Sequence, residues 1–308
     1  MATFLFTHPV CMAHDPAPGH PERPERLRAV LKALDGPAFA PLIRREAPQA
    51  EVTQIMRVHR PDHVDHILAS VPAEGYYNLD ADTAMSPQSG DAALRAAGGV
   101  CAAVDAVMAG EAENAFCAVR PPGHHAEPGR AMGFCLFNNI AVGAAHARAE
   151  HGLARVAILD FDVHHGNGTQ AIFEGDSRVF FASTHQMPLY PGTGRLSETG
   201  VGNIVNRPLR PMSGGADFRL AWREHILPAL FDFRPEMVFI SAGFDGHEDD
   251  PLAQLALTEE DFAWVTREIR KVAKQSCDGR IVSTLEGGYD LPSLAASAAA
   301  HVAALMAD

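Results

Sequence analysis

Cysteine is sparse in this chain. Five cysteines occur among 308 residues (Cys11, Cys101, Cys117, Cys135 and Cys277), and no two form a C-x-x-C pair. Their scatter argues against a disulfide framework and a thiolate zinc site, and it suits a reducing compartment. Positive charge is also short: 25 Lys and Arg against 38 Asp and Glu give a formal net charge of −13. Such a balance argues against a nucleic-acid-binding surface and favours cationic ligands such as amines or lysine-rich peptides. Long apolar runs are missing too. No basic segment followed by a signal-length hydrophobic core opens the chain, and the alanine-rich stretch 294–307 is broken by Ser297 and His301. A cytoplasmic protein without a membrane segment is expected. Repeats, low-complexity tracts and Gly/Ser linkers are absent, so residues 1–308 read as a single domain.

What is present is ordinary globular composition, 47% hydrophobic and 20% charged, with a clear local pattern. Strand-like runs recur at Phe4–Thr7, Ala115–Val119, Val156–Leu159, Val179–Ser183, Met237–Ser241 and Ile281–Leu285. Helical spacing lies between them, as in Leu27, Val30, Leu31 and Leu34, or Ala97, Val100, Cys101, Val104 and Met108. Thr258 followed by Glu259, Glu260 and Asp261 predicts a capped helix start with acids at the positive end of the dipole. Alternating strand and helix signals predict a mostly parallel sheet with helices on both faces. Three long stretches rich in Pro and Gly, 9–25, 121–138 and 186–203, are expected to rim a pocket at the strand ends.

The most informative segment is Asp160-Phe-Asp162-Val-His164-His-Gly166-Asn-Gly168, which directly follows the apolar run Val156–Leu159. Side chains alternate faces along an extended chain, so Asp160, Asp162 and His164 point the same way. Open α/β sheets build their sites beyond the carboxyl ends of such strands. Two carboxylates and an imidazole converging there call for a cation. Three other strand ends carry polar clusters: Arg120-Pro-Pro-Gly-His124-His125-Ala126, Ser241-Ala-Gly-Phe-Asp245 and Glu286-Gly-Gly-Tyr289. Each alone has a bland explanation. A His-His pair is more often a surface loop than a base, and a strand-end Asp is commonly a turn former. Four at the ends of one sheet are not independent accidents.

With these motifs in view, R-P-P-G-H-H-A (120–126), M-G-F-C-L-F-N-N (132–139), D-F-D-V-H-H-G-N-G-T-Q (160–170), S-A-G-F-D (241–245) and L-E-G-G-Y (285–289), the chain resembles the zinc-dependent histone deacetylases and related amidohydrolases. The likeness runs from about His20 to Leu294, and Asn167 with Glu286-Gly-Gly-Tyr is most similar to the class II branch. The resemblance implies a three-layer α/β/α fold of the arginase/deacetylase type with an eight-stranded, mostly parallel sheet. It implies one catalytic Zn2+ held by Asp162, His164 and Asp245, with a fourth position left for water. His125 would act as proton carrier, His124 as its electrostatic partner, and Tyr289 as donor to the developing oxyanion. Asp160 would orient His124, and Asn167 would orient His125. A structural K+ would sit at Asp160 and Ser183 with the backbone carbonyls of Asp162, His164 and Thr184. Phe134 and Tyr190 would wall an acyl-lysine tunnel, and the Gly133 carbonyl would accept the substrate amide N–H. Tyr190 stands where the family more usually has phenylalanine, which alters the polarity of that wall.

The substrates implied are an acylated lysine peptide or a small acetylated amine. Leu252, after Pro251, aligns with a gatekeeper that is acidic in members specialised for polyamines, so acyl-lysine is expected to be preferred. Glu248, Asp249 and Asp250 are close enough in sequence to supply the missing charge. Two other readings stand beside this one. A binuclear manganese ureohydrolase would need an acid where Gly166 stands and paired aspartates where Asp245 and His247 stand. A non-catalytic binder would lack a ligand, the His pair or the tyrosine. Cys135 is expected to be a packed thiol. Glu22 and Arg26 are expected to stabilise a loop near His20, and His59, His63 and His66 to be packed or solvated rather than metal-binding. Pairing of the rim loops would allow a homo-oligomer.

Overall fold

The computed structural model describes residues 2–307. Ten strands follow one another in the chain: β1 (Thr3–Thr7), β2 (Ile43–Glu46), β3 (Tyr77–Asn78), β4 (Ala84–Met85), β5 (Asn114–Cys117), β6 (Val156–Asp160), β7 (Val179–Gln186), β8 (Ile204–Leu209), β9 (Met237–Ala242) and β10 (Ile281–Leu285). Eight form one sheet in the order β2-β1-β5-β10-β9-β6-β7-β8, with each neighbouring pair parallel. The remaining pair, β3 and β4, makes a small antiparallel hairpin. Every residue of β5, β6, β7, β9 and β10 is buried, as a parallel sheet covered on both faces requires.

Helices cover the two faces and give three layers. Ser89–Met108 packs on Asn139–His151 in one layer, and Pro24–Ala33, Glu259–Cys277 and Leu291–Met306 pack together in another. The expected helix start at Thr258 is present: Glu259–Cys277 begins with a capping box in which Asp261 reaches back to Thr258.

The six expected strands all occur; β1, β6 and β9 are each one residue longer than expected, and two others differ more. The run at 115–119 forms a strand over Asn114–Cys117, and β7 continues past Ser183 to Gln186. The site follows from the strand order. β5, β10, β9, β6 and β7 are successive neighbours and all point the same way, so the loops that leave their carboxyl ends emerge side by side.

Candidate functional site

Beyond β6 the chain places Asp162 and His164, and beyond β9 it places Asp245. Ligand atoms of these three lie within 4.8 Å of one another. His164 Nδ1 is 3.2 Å from Asp162 Oδ1 and 3.1 Å from Asp245 Oδ2. Backbone N–H groups aim the carboxylates: Val163 donates to Asp245 Oδ1 at 2.9 Å, and Gly287 to Asp162 Oδ2 at 2.8 Å. The packing tolerates no side chain behind them. A Cβ on Gly243 would meet Asp162 Oδ2 at 1.9 Å, and one on Gly287 would meet Asp245 Oδ2 at 2.1 Å.

The two histidines after β5 stand beside this group. His124 Nδ1 is 2.9 Å from Asp160 Oδ2, and His125 Nδ1 is 2.8 Å from Asn167 Oδ1. Burial alone would lower the pKa of His124, but the Asp160 and Asp162 carboxylates outweigh it and raise the value to about 10. His125 is held well below the ordinary histidine range, first by burial and then by the charge of His124. One imidazole of the pair is thereby cationic and the other neutral. His164 rises to about 10 against its burial, because both neighbouring carboxylates favour the charged ring.

Glu286 underlies the whole arrangement. Fully buried, it accepts N–H bonds from Gly123 at 2.7 Å and His124 at 3.2 Å, and a bond from the Ser241 hydroxyl at 3.2 Å. Burial pushes its carboxyl up to about 7, opposed by the charge of His124. Four buried acids, Asp160, Asp162, Asp245 and Glu286, therefore converge on three imidazoles. That donor set suits a positive ion.

Above the triad lies a cavity of about 250 Å³ lined by Asp82, His125, Gly133, Phe134, His164, Leu189, Tyr190, Leu252 and Tyr289. The Phe134 and Tyr289 rings meet edge to face at 5.9 Å, as do His125 and Tyr190 at 5.2 Å. The buried Tyr289 phenol is kept protonated, since burial raises its pKa well above the usual value. Tyr190 is 39% exposed and so sits at the mouth. Gly133 carries its carbonyl on this wall, where the Cys135 thiol donates to it at 3.3 Å. Burial raises the pKa of that thiol, which makes it a poor nucleophile.

Asp160 and Ser183 are register partners across β6 and β7, and the Thr184 hydroxyl accepts from Trp222 Nε1 at 3.2 Å. His59 and His63 are buried and bonded to the backbone carbonyls of Glu127 and Leu136, whereas His66 is exposed. Glu248 and Asp249 are exposed and do not line the cavity, and Asp250 turns its carboxylate to backbone N–H groups. The acid that does line it is Asp82, from the β3–β4 hairpin, which carries no motif in the sequence. Arg26 does more than steady a loop: it donates to the carbonyls of Glu286 and Gly288 and stacks 4.8 Å from the centre of the Tyr289 ring. Glu22 pairs with both Arg26 and Arg120.

A second carboxylate–imidazole group, Asp105, His146 and His151, lies elsewhere. Its hydrogen bonds oppose metal binding. Gln54 Nε2 and Arg57 donate to His146 Nδ1, and Gln54 Oε1 is already taken by the Glu51 N–H, so the amide cannot turn round. Nδ1 must then be the acceptor, and the proton sits on Nε2 facing Asp105, where a metal would need a lone pair.

Fold and site together define a hydrolase of the arginase/deacetylase type. Residues 20–305 match the family model of the histone deacetylase domain. A "Probable deacetylase" of Archaeoglobus fulgidus is 41% identical over 298 residues, covering 94% of this chain and 82% of that protein. A "Histone deacetylase-like amidohydrolase" of Pseudomonas aeruginosa is 42% identical over 279 residues, covering 89% and 73%. The "Type-2 histone deacetylase 2" of Dictyostelium discoideum is 38% identical across 99% of this chain, which spans only 21% of that protein. The crystal structure of the HDA15 HD domain superposes with a TM-score of 0.92 at 36% identity, covering 98% of this chain and 88% of that one. The chain belongs to the histone deacetylase family. Among the described residues, no helix is long and apolar enough to cross a membrane.

Proposed function

We propose that this hydrolase uses one zinc ion, held by Asp162, His164 and Asp245, to remove acetyl or other acyl groups from lysine side chains. The observation that carries the reading is the buried triad at the floor of a narrow cavity walled by Phe134, Tyr190 and Tyr289. Two carboxylates and one imidazole, with backbone N–H groups occupying their outer oxygens, leave a position open as catalytic zinc requires. When bound there, zinc polarises an amide carbonyl and acidifies water.

The chain's own residues would do the rest. With Nδ1 hydrogen-bonded to Asn167, His125 has Nε2 as its free position; being neutral, it can accept the water proton and return it to the leaving amine. His124 stays cationic against Asp160 and supplies charge rather than a base. Tyr289 donates its hydroxyl as negative charge grows on the carbonyl oxygen. The Gly133 carbonyl would accept the substrate N–H. A potassium-sized ion would sit at Asp160, Ser183 and the backbone of Asp162, His164 and Thr184. Its support is that burial raises the Asp160 carboxyl to about 6 despite His124, a strain that a nearby cation relieves.

A two-manganese ureohydrolase is disfavoured by Gly166, where any Cβ would lie 2.3 Å from Asp160 Oδ2. His247 cannot stand in either, because its Nδ1 accepts from the Asp249 N–H and its Nε2 faces Glu259. A small acetylated amine keeps one argument in its favour: Asp82 on the cavity wall could pair with a distant ammonium. Leu252 on the same wall argues the other way, since it offers an ammonium no partner. Metal analysis should find one zinc per chain, with the chelated protein reactivated by it. kcat/KM should be higher for an acetyl-lysine peptide than for N8-acetylspermidine, and Leu252→Glu should shift the ratio toward the polyamine. Activity that requires two manganese ions would defeat the metal assignment, and a wild-type preference for the polyamine would defeat the substrate.

A further inference from the structure

Asp250 lies outside the cavity lining, five residues beyond Asp245, and is almost wholly buried at 6% exposure. Its Oδ1 accepts the Leu252 N–H at 3.0 Å, a local contact of the kind that turn-forming aspartates make. The other oxygen does something a turn does not need. Oδ2 accepts the Tyr289 N–H at 2.7 Å, from a loop 39 residues away in sequence. Among the described residues, no cation lies within ion-pair distance of this carboxylate. Burial pushes its carboxyl up to about 7, and the N–H bonds from Leu252 and Tyr289 oppose that rise.

The loop that Asp250 grips has little stiffness of its own. Two glycines precede Tyr289, and Gly288 takes a φ of 120°, outside the range of other residues. Arg26 fixes the carbonyls of Glu286 and Gly288, and Asp162 fixes the N–H of Gly287. At residue 289 itself the backbone anchor is Asp250. Because the same carboxylate also fixes Leu252, one group joins the mouth of the cavity to the phenol at its floor.

We infer that Asp250 is a positioning residue, which sets the Tyr289 hydroxyl and the Leu252 wall as one unit. This rests on the deacetylase reading above, in which Tyr289 donates to the oxyanion. Misplacing a reacting group by about 1 Å can cost on the order of a hundredfold in rate, so loss of the anchor should appear in kcat.

The test is a double-mutant cycle on an acetyl-lysine peptide, with Asp250→Ala, Tyr289→Phe and both together. Asp250→Ala should lower kcat about ten- to hundredfold while KM moves by less than about threefold. In the Tyr289→Phe background the same change should cost less than about threefold, because the group it positions has gone. Asp250→Asn, whose amide oxygen can still accept the Tyr289 N–H, should recover part of the loss, and it carries the cycle if the alanine variant fails to fold. Multiplicative losses in the double variant, or a change confined to KM, would overturn the inference. Hydrogen exchange over residues 286–291 supplies a readout independent of turnover. It should speed up there and at Leu252 in the Asp250 variants, and in none of the other sheet-end loops. Unchanged exchange overturns the positioning role even if the wild type hydrolyses no acetyl-lysine peptide, an outcome that would instead count against the substrate reading.

Discussion

At Tyr289 the ring is wedged between the Phe134 edge and the Arg26 guanidinium, so its position is set by packing and its hydroxyl is left for chemistry. Tyr289→Phe keeps both ring contacts. It should therefore fold and bind substrate nearly as the wild type does, while kcat drops on the order of 10²–10³ for loss of one oxyanion donor. Steady-state kinetics of the zinc-loaded enzyme check this, and near-normal turnover would remove Tyr289 from the mechanism. The tyrosine was legible because it stands in a motif. Asp82 and Asp250 were not. Asp82 reaches the cavity from a short hairpin whose two-residue strands give no periodic signal, and Asp250 acts through backbone N–H groups that no side-chain pattern reports. From sequence Arg26 offers only a loop-stabilising role, because its contacts with Gly288 and Tyr289 join segments 262 and 263 residues apart, which no local spacing reveals.

Among elements, the strands that could be read are those in the middle of the sheet. Packed on both faces, they are short continuous apolar runs with little alternation to confuse them. The two edge strands escaped: β2 is Ile-Arg-Arg-Glu and largely exposed, and β8 alternates buried and half-buried positions and contains Pro208. Charge and proline at an edge protect against pairing with another chain, and they also erase the hydrophobic signature of a strand. Caps are more legible, because their chemistry is local. Asp261 accepts the Thr258 N–H at 3.0 Å and the Thr258 hydroxyl at 3.2 Å. It also accepts Arg219 Nε at 2.8 Å, tying the start of helix Glu259–Cys277 to helix Gly215–Ala221. Asp261→Ala should destabilise the protein by about 2 kcal/mol, from a lost cap and a lost charged hydrogen bond. Asp261→Asn, which still offers one acceptor, should lose less. Urea denaturation measures the difference, and kcat of the folded variants should not change, since Asp261 does not line the cavity; equal stability of Asp261→Ala and wild type would show that the cap contributes nothing.

Over the whole molecule, the chain buries far more imidazole than its proposed chemistry uses. His59, His165 and His301 are pushed down to about 3 by burial, and His185 to about 4. Each is neutral in the folded state and has an ordinary value near 6.5 when unfolded. A folded pKa below the unfolded one means that the unfolded chain binds more protons as the medium acidifies. The stability these groups contribute is therefore complete above about pH 6.5 and is lost as pH falls from there toward 3–4. His124, raised to about 10, adds no slope in that window because it is charged in both states. Glu286, raised to about 7, and Asp160, raised to about 6, act in the opposite sense over the same window, so the histidine contribution is read from a variant rather than from the wild-type curve alone. His301 isolates one share of the effect. It lies among the Phe116, Phe161 and Phe244 rings, with Thr266 Oγ1 at 2.7 Å and Ser283 Oγ at 2.9 Å, and it belongs to none of the metal-binding groups. His301→Gln should lower stability at every pH but flatten its dependence below pH 6.5, by up to about 1.4 kcal/mol per pH unit for the one proton no longer taken up. Unfolding free energies of both proteins between pH 7.5 and 5, in the same buffers and at the same zinc loading, make the comparison. Curves that stay parallel would mean that His301 is not held neutral by its burial.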